Sequence, residues 1–371
     1  KKPSLSVRSI ELFSPHISYS GIPGSHRESP VEGASADSLS TKGLAGVFDS
    51  FSIGSLYVAD GSVAYSHWPD NYKETWNVLG VYAEISDMEL VPAPGQESRA
   101  LSGSSVTAKA DNISRTYKND AVTMIIGGIS ASTSAGTLSV ASFRILPHYP
   151  KDKYAATVHD HSDWTEVKFK GISASGVDYS KLQNDKTFRA DSLYVKDGSI
   201  ESYKNRQIAQ ASRIKPMLYE TVWNLSMGLD IPHVHADQMY IRYDELAESA
   251  DEPGMVDFKA IKMDVTGLTN RPENPKQTYR IDARGMLMGK GRIRRVMDLP
   301  AAAGNDFFKV SARMGDMELA AMNPTTEPLG NLKIESGRMT SAEVMISGTS
   351  VKADARTTIT YEDLKISLLR S

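Results

Sequence analysis

The chain has 371 residues, 40% of them apolar, and a formal net charge of −3. That length can bury one large core or two to three smaller ones, and near-neutrality argues against a nucleic-acid partner, which would require a basic face. With no cysteine, disulfides and thiolate chemistry are excluded, and no apolar run approaches the roughly 20 residues of a membrane-spanning helix. The chain opens on Lys1-Lys2-Pro3 without an initiator Met, so it reads as a trimmed N-terminus that leaves room for a signal or anchor ahead of it.

The first segment, LSVRSIELFS, alternates and predicts a strand. Residues 20–46 are poor in large apolar side chains and rich in Gly, Ser and Pro, which predicts a long surface loop. Next comes FSIGSLYVADGSV at 51–63, a phrase that returns at 188–200 as FRADSLYVKDGSI. Looser copies follow at 234–243, VHADQMYIRY, and at 332–339, LKIESGRM. Repetition at this scale implies a reused β unit, at spacings too unequal for a solenoid. The Asp-Gly pair closing each full copy reads as a hairpin turn. A short helix is expected around 70–80, starting at Asp70.

Further strands are predicted at 104–113, 121–130, 136–146, 165–173, 256–267, 277–288, 307–321, 330–337, 342–352 and 355–369. The simplest topology is a meander of antiparallel neighbours. Pro216 followed by Leu218, Val222 and Leu225 at i, i+4, i+7 predicts an amphipathic helix that plugs the sheet. The expected fold class is therefore all-β: a twisted antiparallel sheet forming a groove or flattened barrel, with one or two short helices. The expected modules are 1–150 and 151–371.

Two phrases carry candidate chemistry. His159-Asp160-His161-Ser162-Asp163 and His233-Val234-His235-Ala236-Asp237 would each put two His and an Asp on one strand face, half a zinc site. The second phrase aligns with the repeat copy that begins at Phe188, which carries no His, so the expectation is solvated histidines and no bound cofactor. Gly285–Gly291 lacks the spacing and the Ser/Thr of a phosphate loop. Arg292, Arg294 and Arg295 read as solvated arginines at a strand end. Fifteen methionines crowd toward the C-terminal third and suit either an irregular core or an apolar groove.

The second half resembles the AsmA-like family of Gram-negative envelope proteins, which includes TamB-type proteins. The carrying phrases are ILPHYPKDKYA at 145–155, FKGISASGVDYSKL at 169–182, IPHVHADQMYIRYDEL at 231–246, GMVDFKAIKMDVTGLTN at 254–270 and the ending from Gly337, with Tyr361-Glu362-Asp363-Leu364. The resemblance is best over 105–371. It implies a non-enzymatic periplasmic protein, tethered by an N-terminal segment, that holds phospholipid or other acyl chains in an apolar β-groove. Leu56, Val58, Leu193, Val195, Met239 and Ile241 are the groove candidates. Two alternatives are a filled-core module docking envelope proteins through edge strands, and a metal-dependent hydrolase built on the His phrases.

Overall fold

A computed structural model of the chain describes residues 4–21, 50–67, 73–92, 99–102, 105–117, 120–158, 163–208, 216–303 and 305–369. The protein is all-β, with 69% strand, 11% helix and a mixed sheet that does not close on itself. Among the described residues the sheet is open, so the flattened-barrel alternative is not the form adopted. Two compact units divide at Ala141/Ser142.

In the first unit, β1 (Ser4–Phe13) and β2 (His16–Ser20) lie end to end along β3 (Ser50–His67), both parallel to it. The register is continuous: Ile10 faces Leu56, Leu12 faces Val58, and His16 faces Ser62. Like therefore stacks on like. Ser52 donates to Ser6 at 3.1 Å, Ser14 to Asp60 at 3.2 Å, and Tyr19 stacks on Tyr65 with ring centroids 5.3 Å apart. β4 (Glu74–Pro92) pairs antiparallel with β3, and β6 (Ser105–Tyr117) and the short β5 (Arg99–Ser102) pair with β4. β7 (Val122–Ser132) follows on β6, and β8 (Thr137–Pro147) runs across the division. Among the described residues here the buried apolar side chains are Phe51, Ile53, Ala110, Ala121 and Val122.

The second unit starts with helix α1 (Lys151–Thr157), then β9 (Trp164–Ser175), helix α2 (Tyr179–Asp185), and β10 (Thr187–Arg189) leading into β11 (Ser192–Asn205). Helix α3 (Leu218–Trp223) precedes β12 (Gly228–Leu246). β10 and β11 run parallel to β12, and β11 is antiparallel to β9. From β12 onward the sheet is an antiparallel meander: β13 (Gly254–Thr269), β14 (Thr278–Leu287), β15 (Gly291–Pro300), β16 (Phe308–Met314), β18 (Leu332–Gly348) and β19 (Ala353–Leu368). Between β16 and β18 stand the two-residue β17 (Met317–Glu318), a 3₁₀ turn (Leu319–Met322) and helix α4 (Asn323–Gly330).

Several expectations are corrected. Residues 74–80 are strand, not helix: Trp76, Val78 and Val81 are β-formers that pair with β3. The Asp-Gly pairs sit inside strands. Asp60 takes a left-handed φ of 52° at a register shift in β3, a β-bulge rather than a hairpin end. Gly198 is needed because a Cβ there would strike the Phe169 ring and the Met239 methyl. The topology is not wholly antiparallel, because consecutive repeat copies stack side by side in parallel. Ser192, Leu193 and Gly198 face His233, Val234 and Met239. A parallel return needs about a dozen linking residues or more, which explains why long segments separate Ser20 from Ser50 and Asn205 from Gly228. Of the expected 20–46 loop, residues 22–46 lie outside the described residues.

The strands expected at 330–337 and 342–352 are one, broken by bulges near Gly337, and the one expected at 307–321 turns helical after Glu318. Helix α3 forms within the expected segment, but its buried stripe is shifted by one residue. Tyr219 is 1% exposed and packs on Trp223, while Leu218 and Leu225 face water. The larger aromatic pair removes more apolar area from water than the leucine stripe would.

Candidate functional site

The second unit has one apolar and one charged sheet face, and cross-strand register shows how each is built. Leu193, Val234, Val265, Ile281, Met297, Val310 and Ile346 stand opposite one another in successive strands. The next apolar row is Val195, Ala236, Met263, Ala283, Arg295, Ala312, Val344 and Thr357. Bulges keep the rows in phase. Gln238 (φ 50°) and Ala260 (φ 49°) each add a residue, so that Met239 shares a face with Ala236 and Phe258 shares a face with Ile261.

Both ends of this apolar face are covered. At one end α3 lays Tyr219 and Trp223 over Ile231, Val234, Val265, Tyr279, Ile281, Met297, Leu299 and Phe308. Trp223 Nε1 donates to the Pro300 carbonyl at 3.0 Å, and Asn270 Nδ2 to the Val222 carbonyl at 3.1 Å, tying the helix down. At the other end Leu319, Ala321 and Met322 of the 3₁₀ turn cover Leu287, Met317, Met339 and Ala342. Between them Ala236, Met239 and Ile261 are buried with Phe169, Val195 and Phe258 around them.

The cover stops toward β19. Ile359 is 50% exposed, Tyr361 52% and Ile366 50%, all at positions facing apolar-face residues of β18. At the inner margin of this open strip stands Arg295, the only charged residue at an apolar-face position in β13 to β16. Its cross-strand neighbours are the small Ala283 and Ala312. Arg295 is exposed, yet the surrounding sheet desolvates its guanidinium enough to lower its pKa, with no acid contributing.

The opposite face carries charges. His235 Nδ1 lies 2.6 Å from Asp264 Oδ1 and its ring stacks on Tyr194 at 5.6 Å. Asp237 turns to Lys262 at 3.2 Å, which holds its carboxyl below the usual range. Helix α1 covers this face near β11: Lys151 bridges Glu201 at 3.2 Å and the buried Asp244 at 3.1 Å, with Arg242 on Asp244 at 2.8 Å.

The groove candidates fall in three classes. Leu193, Val195 and Met239 belong to the packed apolar clusters. Ile241 is 37% exposed on the same face, opposite Phe258. Leu56 and Val58 are half-buried in β3 of the first unit. His233 and His235 share the charged face, and among the described residues no three potential ligands converge on a metal position. His159 and His161 lie outside the described residues. Sequence reading missed Arg295 as a distinct residue, although its parity with Met297 and Leu299, against Arg292 and Arg294, is visible in the strand. Compared with known proteins, the chain matches no family model and no curated sequence.

Proposed function

We propose that the protein is a non-enzymatic carrier or shield for the acyl chain of an amphiphile, seated on the open part of the second unit's apolar face. The observation carrying this reading is the strip from Arg295 to β19, which among the described residues is an uncovered apolar surface with one unpaired cation at its margin. The strip crosses four strands, about 14 Å at the roughly 4.8 Å interstrand spacing. An acyl chain needs apolar contact and no directional bonds. About ten buried methylenes at ~0.8 kcal/mol each approach the ~8 kcal/mol of a micromolar complex. Arg295 would meet a carboxylate or phosphate head. Residence in a Gram-negative periplasm belongs to this reading through the family resemblance alone.

Native mass spectrometry of gently purified protein, with lipid extraction, tests it. Lipid should co-purify and be depleted by Ile359→Asp, an exposed position whose change leaves the core intact. Lipid-free protein at full occupancy would refute the reading.

A second reading is favoured by β19 itself. Its 16 residues are exposed on both faces except at Ser367, and among the described residues it pairs with β18 alone. A long edge of free backbone groups is a template for another strand. On this reading the same apolar strip is covered by a partner protein that extends the sheet. A pulled-down partner whose binding is lost when Pro replaces an outward-facing residue of β19, with no lipid present, would favour it.

A further inference from the structure

The charged face of the second unit holds a row of like charges that ion pairing within the fold offsets only in part. Lys262, Arg284, Arg294 and Arg313 stand directly opposite one another across β13, β14, β15 and β16. Like charges facing each other in a sheet destabilise it, and this row repeats the juxtaposition three times. The outer members lean away to neighbouring acids: Lys262 to Asp237 at 3.2 Å and Arg313 to Glu343 at 3.0 Å, while Arg294 turns to Asp282 at 2.6 Å. Arg284 makes no ion pair among the described residues, nor does Arg292 in the next row, opposite Met286. A recess of 660 Å³ is lined by all five cations, and its wall residues Arg294 and Arg313 also line an adjoining recess of 280 Å³.

We infer that this row, together with the neighbouring Arg292, is a binding site for a linear polyanion bearing phosphate groups, lying across the strands. Arginine forks match phosphate oxygens in two-point contacts, and four cations at the roughly 4.8 Å interstrand spacing offer a line of charge rather than a single socket. A trough suits a chain better than the plane of a bilayer, so the ligand committed to is a soluble oligophosphate or phosphorylated oligomer. The inference is independent of acyl-chain binding, because it concerns the other face of the sheet.

The test is calorimetric titration of the whole chain with inorganic tripolyphosphate at low salt, using Arg284→Gln, Arg292→Gln and, as a control beyond the row, Arg189→Gln. Binding should weaken about tenfold in both Arg284→Gln and Arg292→Gln and be unchanged in the control. It should also fall steeply with added salt. Without ligand, Arg284→Gln should melt at the same temperature as the parent or higher, since it removes repulsion. Absence of tripolyphosphate binding, or binding indifferent to both substitutions, would overturn the inference. So would binding to phosphatidylglycerol vesicles alone, which would assign the row to a membrane surface. A lowered melting temperature in both Arg284→Gln and Arg292→Gln would make the arginines structural.

Discussion

Replacing Tyr279 by Phe should stabilise the second unit. The Tyr279 side chain is 2% exposed, opposite Leu299 and within the cluster under α3, and its hydroxyl is buried without a hydrogen-bond partner. Burial alone pushes its pKa up to about 12 from 10. A buried, unsatisfied polar group costs about 1–3 kcal/mol, whereas Phe keeps the ring and its apolar contacts. The expected gain is therefore about 1 kcal/mol, at the low end because the cluster relaxes only partly around the lost oxygen. In a domain of this size that moves the melting temperature by roughly 2–4 °C. A urea titration followed by tryptophan fluorescence should give a higher midpoint at unchanged slope.

The pH dependence supplies an independent check. Because the folded pKa is raised, the unfolded chain loses the Tyr279 proton first. Stability is fully retained below pH 10 and falls as pH rises toward 12. The Phe variant should lose less stability over that window. Destabilisation by 1 kcal/mol or more would refute the reasoning, since it would mean that the hydroxyl is satisfied.

Other outcomes follow from the same geometry. Gly198→Ala should cost about 1–3 kcal/mol by overpacking, read as a lowered urea midpoint, because a Cβ there meets Phe169 and Met239; an unchanged midpoint would mean the bulged strands shift freely. Asp244→Ala should cost about 2 kcal/mol, less than the ~3–5 of a fully buried pair, because Lys151 and Arg242 keep a third of their side chains in water. Chemical denaturation with Asp244→Asn alongside would separate lost charge from lost packing. Trp223→Ala should loosen α3 and expose the apolar cluster beneath it, seen as new binding of a hydrophobic dye; no dye binding would mean the helix is not the cover.

Much of the fold was legible because alternation and turn residues are local signals. β6, β7, β8, β9, β13 and β14 fall within a few residues of the expected spans. The Asp-Gly pairs misled because the left-handed φ that closes a hairpin also makes a bulge, and the two differ only in what the next strand does. Parallel stacking of repeat copies was hidden for a related reason. Pairing of β1 with β3 is set by a return path, not by anything within either strand. SIELFSPHI at 9–17 runs in register with SLYVADGSV at 55–63, but shares too few identities to be seen as a copy. The site was less legible than the fold. Alternation identified apolar positions such as Leu193 and Val195, but which of them helices would cover depends on how Tyr219 and Met322 pack. The cation row is invisible in one dimension, because its four members come from four strands and meet only through register.

Acyl-chain placement is tested most directly by photo-crosslinking. A fatty acid carrying a diazirine near its tail would be irradiated with the protein, and the labelled peptides read by mass spectrometry. The account predicts label on β18 and β19, around Val344, Ile359 and Tyr361, abolished by excess unlabelled fatty acid and reduced by Arg295→Leu. Saturable label elsewhere, or no saturable label at all, would contradict it.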